Sequence, residues 1–137
     1  MPQRRSVWLF LLLGWGIWIA SCSGGEESKV NQVLESRRLG MERKDVILYM
    51  SSISPQYREG ERDADLLRRE AMEMMQSCDS IEMKIRGREV SIQGDRAEAI
   101  QSYEIRIHRG SRVGSAQGKE RIVLVKAAEG WRIVSGL

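Results

Sequence analysis

The chain is poor in the residues that many enzymes use for metal binding and nucleophilic catalysis. It has one histidine, two cysteines and two prolines among 137 residues. A single histidine, His108, with no cysteine near it cannot supply the three or four ligands of a zinc site. The sequence also lacks a glycine-rich phosphate loop and a nucleophile elbow. We therefore expect no metal, no cofactor and no catalytic residue that a motif would identify.

A large excess of charge of one sign is also missing. The chain has 22 basic and 19 acidic residues, which gives a formal net charge of +3. Arg4 and Arg5 lie in an N-terminal segment that we expect to be removed, so 20 basic residues remain against 19 acidic ones and the net charge falls to +1. Because nucleic-acid binding needs a concentrated basic footprint, we expect no nucleic-acid partner.

The longest apolar run lies at the N-terminus and is too short to cross a membrane. It extends from Val7 to Ala20, one residue after Arg4 and Arg5, whereas the hydrocarbon core of a bilayer takes about 20 apolar residues. A positive start, a short apolar stretch and small residues before a cut site are typical of a secretory signal peptide. The sequence therefore predicts a cleaved signal peptide over residues 1–21 rather than a transmembrane anchor.

The end of that run, Ile19-Ala20-Ser21-Cys22, resembles the lipobox of bacterial lipoproteins. The resemblance implies cleavage between Ser21 and Cys22 and a lipid anchor on Cys22 that holds the protein in a membrane. It places the protein in the bacterial cell envelope, facing the periplasm. Ser23 after the lipidated cysteine is similar to lipoproteins that are sent to the outer membrane. Residues 22–28, rich in glycine, serine and glutamate, are expected to form a flexible tether.

The second cysteine, Cys78, is left without a disulfide partner if Cys22 carries lipid. Leu67, Ala71, Met74 and Cys78 recur at helical spacing on one stripe. A free cysteine on such a stripe usually packs as a small hydrophobic residue, and we expect Cys78 to be buried. The alternative is a reactive thiol or an intermolecular disulfide.

The folded domain is predicted over residues 29–137, and its first half has helical periodicity. Apolar residues between Lys29 and Ser54 follow helical spacing in two pieces. Asp45 can cap the second piece, and Asp63 can open a third helix.

The second half has the alternating pattern of strands. The alternation begins after Asp79 and slips by one residue near Gly87, which indicates a β-bulge. We expect a loop over residues 110–118 and final strands at 122–125 and 131–134. Helices followed by antiparallel strands are typical of an α+β domain with helices packed on one face of the sheet.

Two details of this pattern resemble the nuclear transport factor 2-like superfamily. They are the paired entry helix that ends in Asp45–Tyr57 and the terminal strand Gly130-Trp131-Arg132-Ile133-Val134. The resemblance covers about Val30 to Leu137. It implies a cystatin-like cone, in which a strongly bent antiparallel sheet wraps the helices, often as a homodimer. Enzymes of that superfamily place acid–base groups inside the cone, which is the chemistry to look for.

The residues predicted to face the interior include no carboxylate and no histidine. They are Ile81, Met83, Ile85, Val90, Ile92, Ala97, Ala99, Gln101, Tyr103, Ile105, Ile107, Trp131 and Ile133. Tyr49, Tyr103 and Trp131 are candidates for lining a small pocket, although aromatic residues at these spacings more often fill core. We therefore predict a non-catalytic binding or assembly domain. The alternative is a small-molecule-binding protein, or an isomerase- or dehydratase-like enzyme, that uses the cone interior.

The outer face of the predicted sheet mixes charged residues with Ile100, Val123, Val125 and Val134. The unbroken apolar run 122–125 indicates a strand covered on both sides. In so small a domain the second cover is expected to be another copy of the chain, which predicts a sheet-to-sheet homodimer.

The basic pairs on the predicted helices have acidic neighbours and are expected on solvated faces. They are Arg37-Arg38, Arg43-Lys44 and Arg68-Arg69. Contact with an anionic membrane surface is the alternative interpretation of these pairs.

Overall fold

The computed structural model describes residues 23–137 and shows helices first and an antiparallel sheet afterwards. The elements are α1 (Ser23–Glu42), α2 (Val46–Ser51), β1 (Arg58–Glu59), β2 (Arg62–Asp63), α3 (Ala64–Gln76), β3 (Ser80–Gln93), β4 (Arg96–Arg109), β5 (Arg112–Ala127) and β6 (Gly130–Ser135). The α+β prediction is confirmed. The predicted signal peptide, the cleavage site after Ser21 and the lipidated Cys22 lie outside the described residues.

Aspartates begin the two shorter helices, as the sequence predicts. The carboxylate of Asp45 accepts a hydrogen bond from the N–H of Leu48 (2.9 Å), and that of Asp63 accepts one from the N–H of Leu66 (2.8 Å). Each carboxylate satisfies an N–H group that has no partner within its own helix. The two caps therefore fix the direction in which α2 and α3 leave the preceding turns.

The four long strands form one antiparallel sheet in the order β3-β4-β5-β6, and β1 and β2 form a separate hairpin. The register of β3 against β4 shifts between Ile85 and Gly87, which confirms the predicted bulge. The end of α2 is bound to the far edge of the sheet, because Ser54 N–H donates to Ile133 O (2.8 Å) and Ile133 N–H donates to Ser52 O (2.9 Å).

The prediction of a loop over residues 110–118 is wrong, because only Gly110 and Ser111 form the turn and β5 starts at Arg112. Strand β4 is long enough to pair with this whole stretch. Backbone pairing with β4 therefore makes the glycines and serines of the segment extended, although they lack the alternating apolar residues that mark a strand.

Of the flexible tether predicted over residues 22–28, the structure describes residues 23–28, and these form the first turns of helix α1 instead of a flexible segment. Glu26 explains the order in this segment. Its carboxylate accepts a hydrogen bond from the indole Nε1 of Trp131 (2.7 Å) and pairs with Nζ of Lys126 and Nζ of Lys29, both at 3.1 Å. The folded domain therefore extends to residue 23 rather than starting at residue 29.

The core lies between the helices and the inner face of the sheet. Its most deeply buried side chains come from α1 (Val30, Leu34), the segment after α2 (Tyr57) and the strands (Ile122, Leu124, Trp131, Ile133). Cys78 is buried and free, as expected, and joins this core. No helix within residues 23–137 is long and apolar enough to cross a membrane.

Candidate functional site

A buried ion pair crosses the interior between α1 and the sheet. Arg37 of α1 is only 7% exposed. Its Nη1 donates to Oε1 of Glu120 (2.8 Å) and its Nη2 to Oε2 (3.3 Å), so two parallel hydrogen bonds join guanidinium and carboxylate. Gln101 of β4, 2% exposed, donates from Nε2 to Oε1 of the same carboxylate (2.6 Å). Glu120 of β5 is therefore an inner-face carboxylate whose two oxygens are both occupied.

The network continues from Gln101 to the bulged strand β3. Nε of Arg88 donates to Oε1 of Gln101 (2.7 Å), and Nη1 of Arg88 donates to Oδ1 of Asn31 on α1 (3.1 Å). Burial lowers the pKa of Arg88, and the nearby positive charges of Arg37 and Arg38 lower it further, against the opposing effect of Glu35. The polar chain thus starts and ends on α1 and ties the helix to three strands.

Arg37 is charged in this setting because Glu120 outweighs the effect of burial. Burial alone would lower the pKa of the guanidinium, but the Glu120 carboxylate, helped by Tyr49, raises it above its ordinary value. The desolvation of two buried charges is offset only when both partners are present. Each charge of the pair therefore depends on the other, because loss of one member would leave the remaining charge buried without a partner.

A cavity of about 250 Å³ lies beside this ion pair. Its lining comes from α1 (Arg37, Met41), α2 (Tyr49), β2 (Arg62), α3 (Leu67, Glu70, Ala71, Met74) and the last residue, Leu137. Most of the lining is apolar. The ion pair between Arg62 and Glu70 (2.5 Å) has side chains 37% and 44% exposed, so it marks the side of the cavity that faces solvent. Arg37 and Tyr49 are buried and supply the polar atoms on the protein side.

The Nε atom of Arg37 differs from the two Nη atoms in its hydrogen bonding. It is buried and forms no hydrogen bond to any of residues 23–137. A buried N–H without an acceptor costs about 1–3 kcal/mol. The cavity that Arg37 lines could receive an acceptor atom from a ligand, and such an atom would remove this cost.

The backbone at the rim of the cavity is held in place by side chains. The hydroxyl of Tyr57 donates to Oε2 of Glu59 (2.9 Å) and accepts from the N–H of Leu137 (3.1 Å), while Arg62 donates to the carbonyl oxygen of Leu137. Burial raises the pKa of Tyr57 to about 12, and Glu59 adds to the shift. The hydroxyl therefore stays protonated at neutral pH and works as a structural donor.

The three aromatic residues predicted as a pocket do not share one cavity. Tyr49 lines the cavity beside Arg37. Trp131 lines a different hollow of about 550 Å³, between α1 and the turn that joins β5 to β6. Tyr103 lines neither, and instead lies so close to Gly118 that a Cβ there would be 2.6 Å from its hydroxyl oxygen. His108 is partly exposed on the outer face, where its Nε2 lies 3.5 Å from Oε1 of Glu82.

The sequence interpretation missed Arg37 and Glu120. Arg37 was assigned to a solvated face, although it continues the helical stripe of Val30, Leu34 and Met41, and this spacing was the available signal. Glu120 was missed because the strand was expected to start at residue 122. The statement that the inner face has no carboxylate is therefore wrong, since β5 places Glu120 there opposite Gln101.

Metal binding by the described residues would require several ligating side chains that converge on one point. Within residues 23–137, no group of three or more histidine, cysteine, aspartate or glutamate side chains is placed to hold a metal ion. At the cavity, the buried polar side chains are those of Arg37 and Tyr49, the more exposed polar ones are those of Arg62 and Glu70, and most of the remaining lining is apolar.

Comparisons by sequence and by structure gave different results. No family model and no curated protein matches the chain. Its fold matches a candidate dehydratase of the NTF2-like family from Streptomyces avermitilis (17% identity over 83% of this chain and 94% of that chain, TM-score 0.73). It also matches an NTF2-like superfamily protein from Salmonella enterica serovar Typhimurium (18% identity over 83% of this chain and 92% of that chain, TM-score 0.72).

A third match names the fold itself. It is an NTF2-like protein with a cystatin-like fold from Novosphingobium aromaticivorans (12% identity, 83% of this chain and 80% of that chain, TM-score 0.68). At these identities the likeness extends to the fold alone. The predicted resemblance is confirmed at that level: residues 23–137 have the cystatin-like fold of NTF2-like proteins.

Proposed function

We propose that the protein is a lipid-anchored protein of the bacterial envelope in which the cavity beside Arg37 binds a small organic molecule without transforming it. The observation that carries the binding proposal is that Arg37, whose buried Nε has no partner within residues 23–137, lines a largely apolar cavity. Ligand sites are typically apolar pockets with a few well-placed polar groups, and this cavity has that composition. An engineered cavity of about 150 Å³ holds benzene, so this larger one has room for a ring with a short substituent.

Binding is favoured over catalysis because the cavity offers no free acid or base. A general base must lie within hydrogen-bond reach of the proton that it takes. Glu120 is not among the residues that line the cavity, and both its oxygens accept from Arg37 or Gln101. Glu70 supplies the one side-chain carboxylate in the lining, and it is paired with Arg62.

A dehydratase- or isomerase-like activity is the second candidate. The structural likeness to the Streptomyces candidate dehydratase favours it, as does the presence of an inner-face carboxylate behind Arg37. The two candidates differ in what happens to a bound molecule. An enzyme would release it chemically changed, whereas a binding protein would return it intact.

Native mass spectrometry of the mature protein, purified from membranes in mild detergent, tests the binding proposal. We expect a small-molecule adduct that is lost in Ala71→Leu, because Ala71 is buried in the cavity wall and the larger side chain fills the space. Ala127→Leu makes the same change at an exposed position of β5 and should keep the adduct. Binding that survives Ala71→Leu would place the ligand elsewhere, and a recovered ligand of altered mass would favour the enzyme.

The membrane anchor is supported by the lipobox-like Ile19-Ala20-Ser21-Cys22. Burial of acyl chains contributes about 0.8 kcal/mol per CH₂, so a multiply acylated cysteine holds a protein without help from basic residues. Replacing Cys22 with Ser is the direct test. We expect loss of the lipid and retention of the signal peptide. A processed protein that still fractionates with the membrane would refute the lipoprotein assignment.

A further inference from the structure

We infer that the ligand of the cavity lined by Arg37 is a neutral molecule with an apolar body about the size of one ring and one acceptor oxygen that binds Nε of Arg37. This inference rests on the proposed function and specifies the class of its ligand. The three nitrogen atoms of the guanidinium carry the argument. Nη1 and Nη2 are committed to Glu120, and Nε has no partner among residues 23–137. Nε is therefore the buried guanidinium nitrogen without a partner in the described part of the chain, and its single N–H can serve one acceptor.

The charges around the cavity argue for a neutral ligand. The positive charge of Arg37 is already matched by Glu120, and that of Arg62 by Glu70. A second anion would be buried close to the Glu120 carboxylate without a cation of its own, and a cation would be buried beside Arg37. Burial of an unmatched charge is strongly unfavourable. A neutral acceptor such as a carbonyl oxygen satisfies Nε without disturbing either ion pair.

The lining and volume argue for a compact apolar body. Met41, Leu67, Ala71 and Met74 contribute aliphatic or thioether surface from two helices, and Leu137 adds aliphatic surface at the rim. The space of about 250 Å³ exceeds the 150 Å³ or so that suffices for benzene, but it lies below the range of about 300–1,000 Å³ that is common for drug-sized ligands. A monocyclic compound with a short substituent fits these limits.

Four probes of similar size separate the contributions of shape, acceptor and charge. Acetophenone has a carbonyl oxygen where α-methylstyrene has a CH₂ group, benzoate adds a negative charge, and 1-phenylethylamine adds a positive one. Full-length mature protein labelled with ¹³C in the methionine methyl groups reports binding by NMR. Met41 and Met74 line the cavity, and the exposed Met72 of α3 is an internal control for nonspecific binding.

Acetophenone should shift the Met41 and Met74 signals with an affinity about tenfold above that of α-methylstyrene, as one hydrogen bond from a charged donor provides. Benzoate and 1-phenylethylamine should leave both signals unchanged. Two variants test the donor. Arg37→Lys keeps a positive charge beside Glu120 but removes Nε, and the double variant Arg37→Met with Glu120→Gln removes both charges, in case Arg37→Lys does not fold.

In both variants the affinity for acetophenone divided by that for α-methylstyrene should fall to about one. Comparing this ratio between the natural protein and the variants cancels any partitioning of the probes into detergent. Equal affinities of the natural protein for acetophenone and α-methylstyrene would overturn the ligand class, because an internal water rather than a ligand oxygen would then be the partner of Nε. The proposed function would remain intact, since both probes would still bind. Binding of benzoate or 1-phenylethylamine that is tighter than binding of acetophenone would also overturn the ligand class. If no probe moves Met41 or Met74 in the natural protein, the ligand class is overturned, and the proposed function fails as well when native mass spectrometry of the same protein shows no adduct.

Discussion

Arg37 and Arg38 are adjacent in sequence but differ in what their charges contribute to stability. Arg37 is buried and pairs with the inner-face Glu120, whereas Arg38 pairs with Glu35 and Glu42 along the more exposed side of α1. Removal of one member of a buried pair leaves an uncompensated charge, while partly exposed helix pairs contribute little. The two arginines therefore provide a matched comparison within one helix.

We expect Arg37→Met to lower the free energy of unfolding by about 3–5 kcal/mol, because the Glu120 carboxylate is left buried with only Gln101 as a donor. Arg38→Met should cost no more than about 1 kcal/mol. Urea denaturation followed by circular dichroism measures both. Combining Arg37→Met with Glu120→Gln should recover most of the loss, and equal destabilisation by the two single variants would contradict the assignment of Arg37 to the interior.

The sequence predicted a residue's position correctly where that position depends on neighbouring residues, and wrongly where it depends on a distant partner. Asp45 and Asp63 were identified as caps because a cap depends only on the next few residues. Arg37 was misplaced because a charged residue enters a core only when a distant partner, here Glu120, meets it there. Such partners are separated by many residues in sequence, and a single sequence without structure does not show which of them meet.

At the scale of elements, α1 and α2 approach each other at Gly40. This glycine is buried in the last part of α1, and a Cβ built on it would lie 2.5 Å from the backbone nitrogen of Tyr49. The contact is with backbone rather than with a flexible side chain, so the two helices would have to move apart. Glycine at this position therefore permits the short distance that brings Tyr49 toward Arg37 and the cavity.

Gly40→Ala should destabilise the protein by about 1–3 kcal/mol through overpacking, despite the usual gain of about 0.5–1 kcal/mol for replacing a helical glycine by alanine. Gly25→Ala in the same helix has no heavy atom within 4 Å of the new Cβ and should be neutral or slightly stabilising. Thermal denaturation of the two variants gives the comparison. If Gly40→Ala raised the melting temperature as Gly25→Ala does, the close approach of the helices would be disproved.

The first turns of α1 depend on Glu26, which joins them to the turn between β5 and β6. Hydrogen bonds from Trp131, and then from Lys126 and Lys29, lower the pKa of Glu26 from 4.5 to about 2. Because the pKa in the folded state is depressed, the stabilising contribution is fully present above about pH 4.5. It is lost as the pH falls from there to about 2.

We expect the indole N–H resonance of Trp131 to report this titration in NMR spectra of the mature protein, with a midpoint near pH 2. Glu26→Gln should remove the transition while leaving the helix in place, since the amide oxygen can still accept from the indole. A midpoint close to 4.5 would mean that Glu26 is solvated in solution. The segment would then behave as the tether that its composition suggested.

This segment and the start of β5 show why composition misled the prediction at the element scale. Both are rich in glycine and serine, which are typical of linkers and loops. In the structure each takes its order from a distant element: residues 23–28 from Trp131 and Lys126, and residues 112–118 from pairing with β4. The apolar periodicity elsewhere predicted the helices and the bulge because those features are encoded within their own segments.

At the scale of the whole molecule, the outer face of the sheet is the surface that we propose joins two copies of the chain. Ile100, Val125 and Val134 are partly exposed there among charged side chains, although Val123 is already buried within the single chain. Glu104 on the same face is nearly buried between Arg86 and Arg106, which lower its pKa. A face of mixed charges and aliphatic side chains suits the self-complementary contact of a two-fold dimer.

Cysteine cross-linking in intact cells tests this dimer without removing the protein from its membrane. Ser102 lies in the middle of β4 on the outer face, and Cys78 is buried, so Ser102→Cys introduces a reactive thiol on the proposed interface. A mild oxidant should convert this variant to a disulfide-linked dimer. Ser77→Cys, exposed at the end of α3 and away from the sheet face, should stay monomeric under the same conditions. Equal cross-linking of both variants would indicate random collision in the membrane, and cross-linking of neither would remove the case for contact across this face.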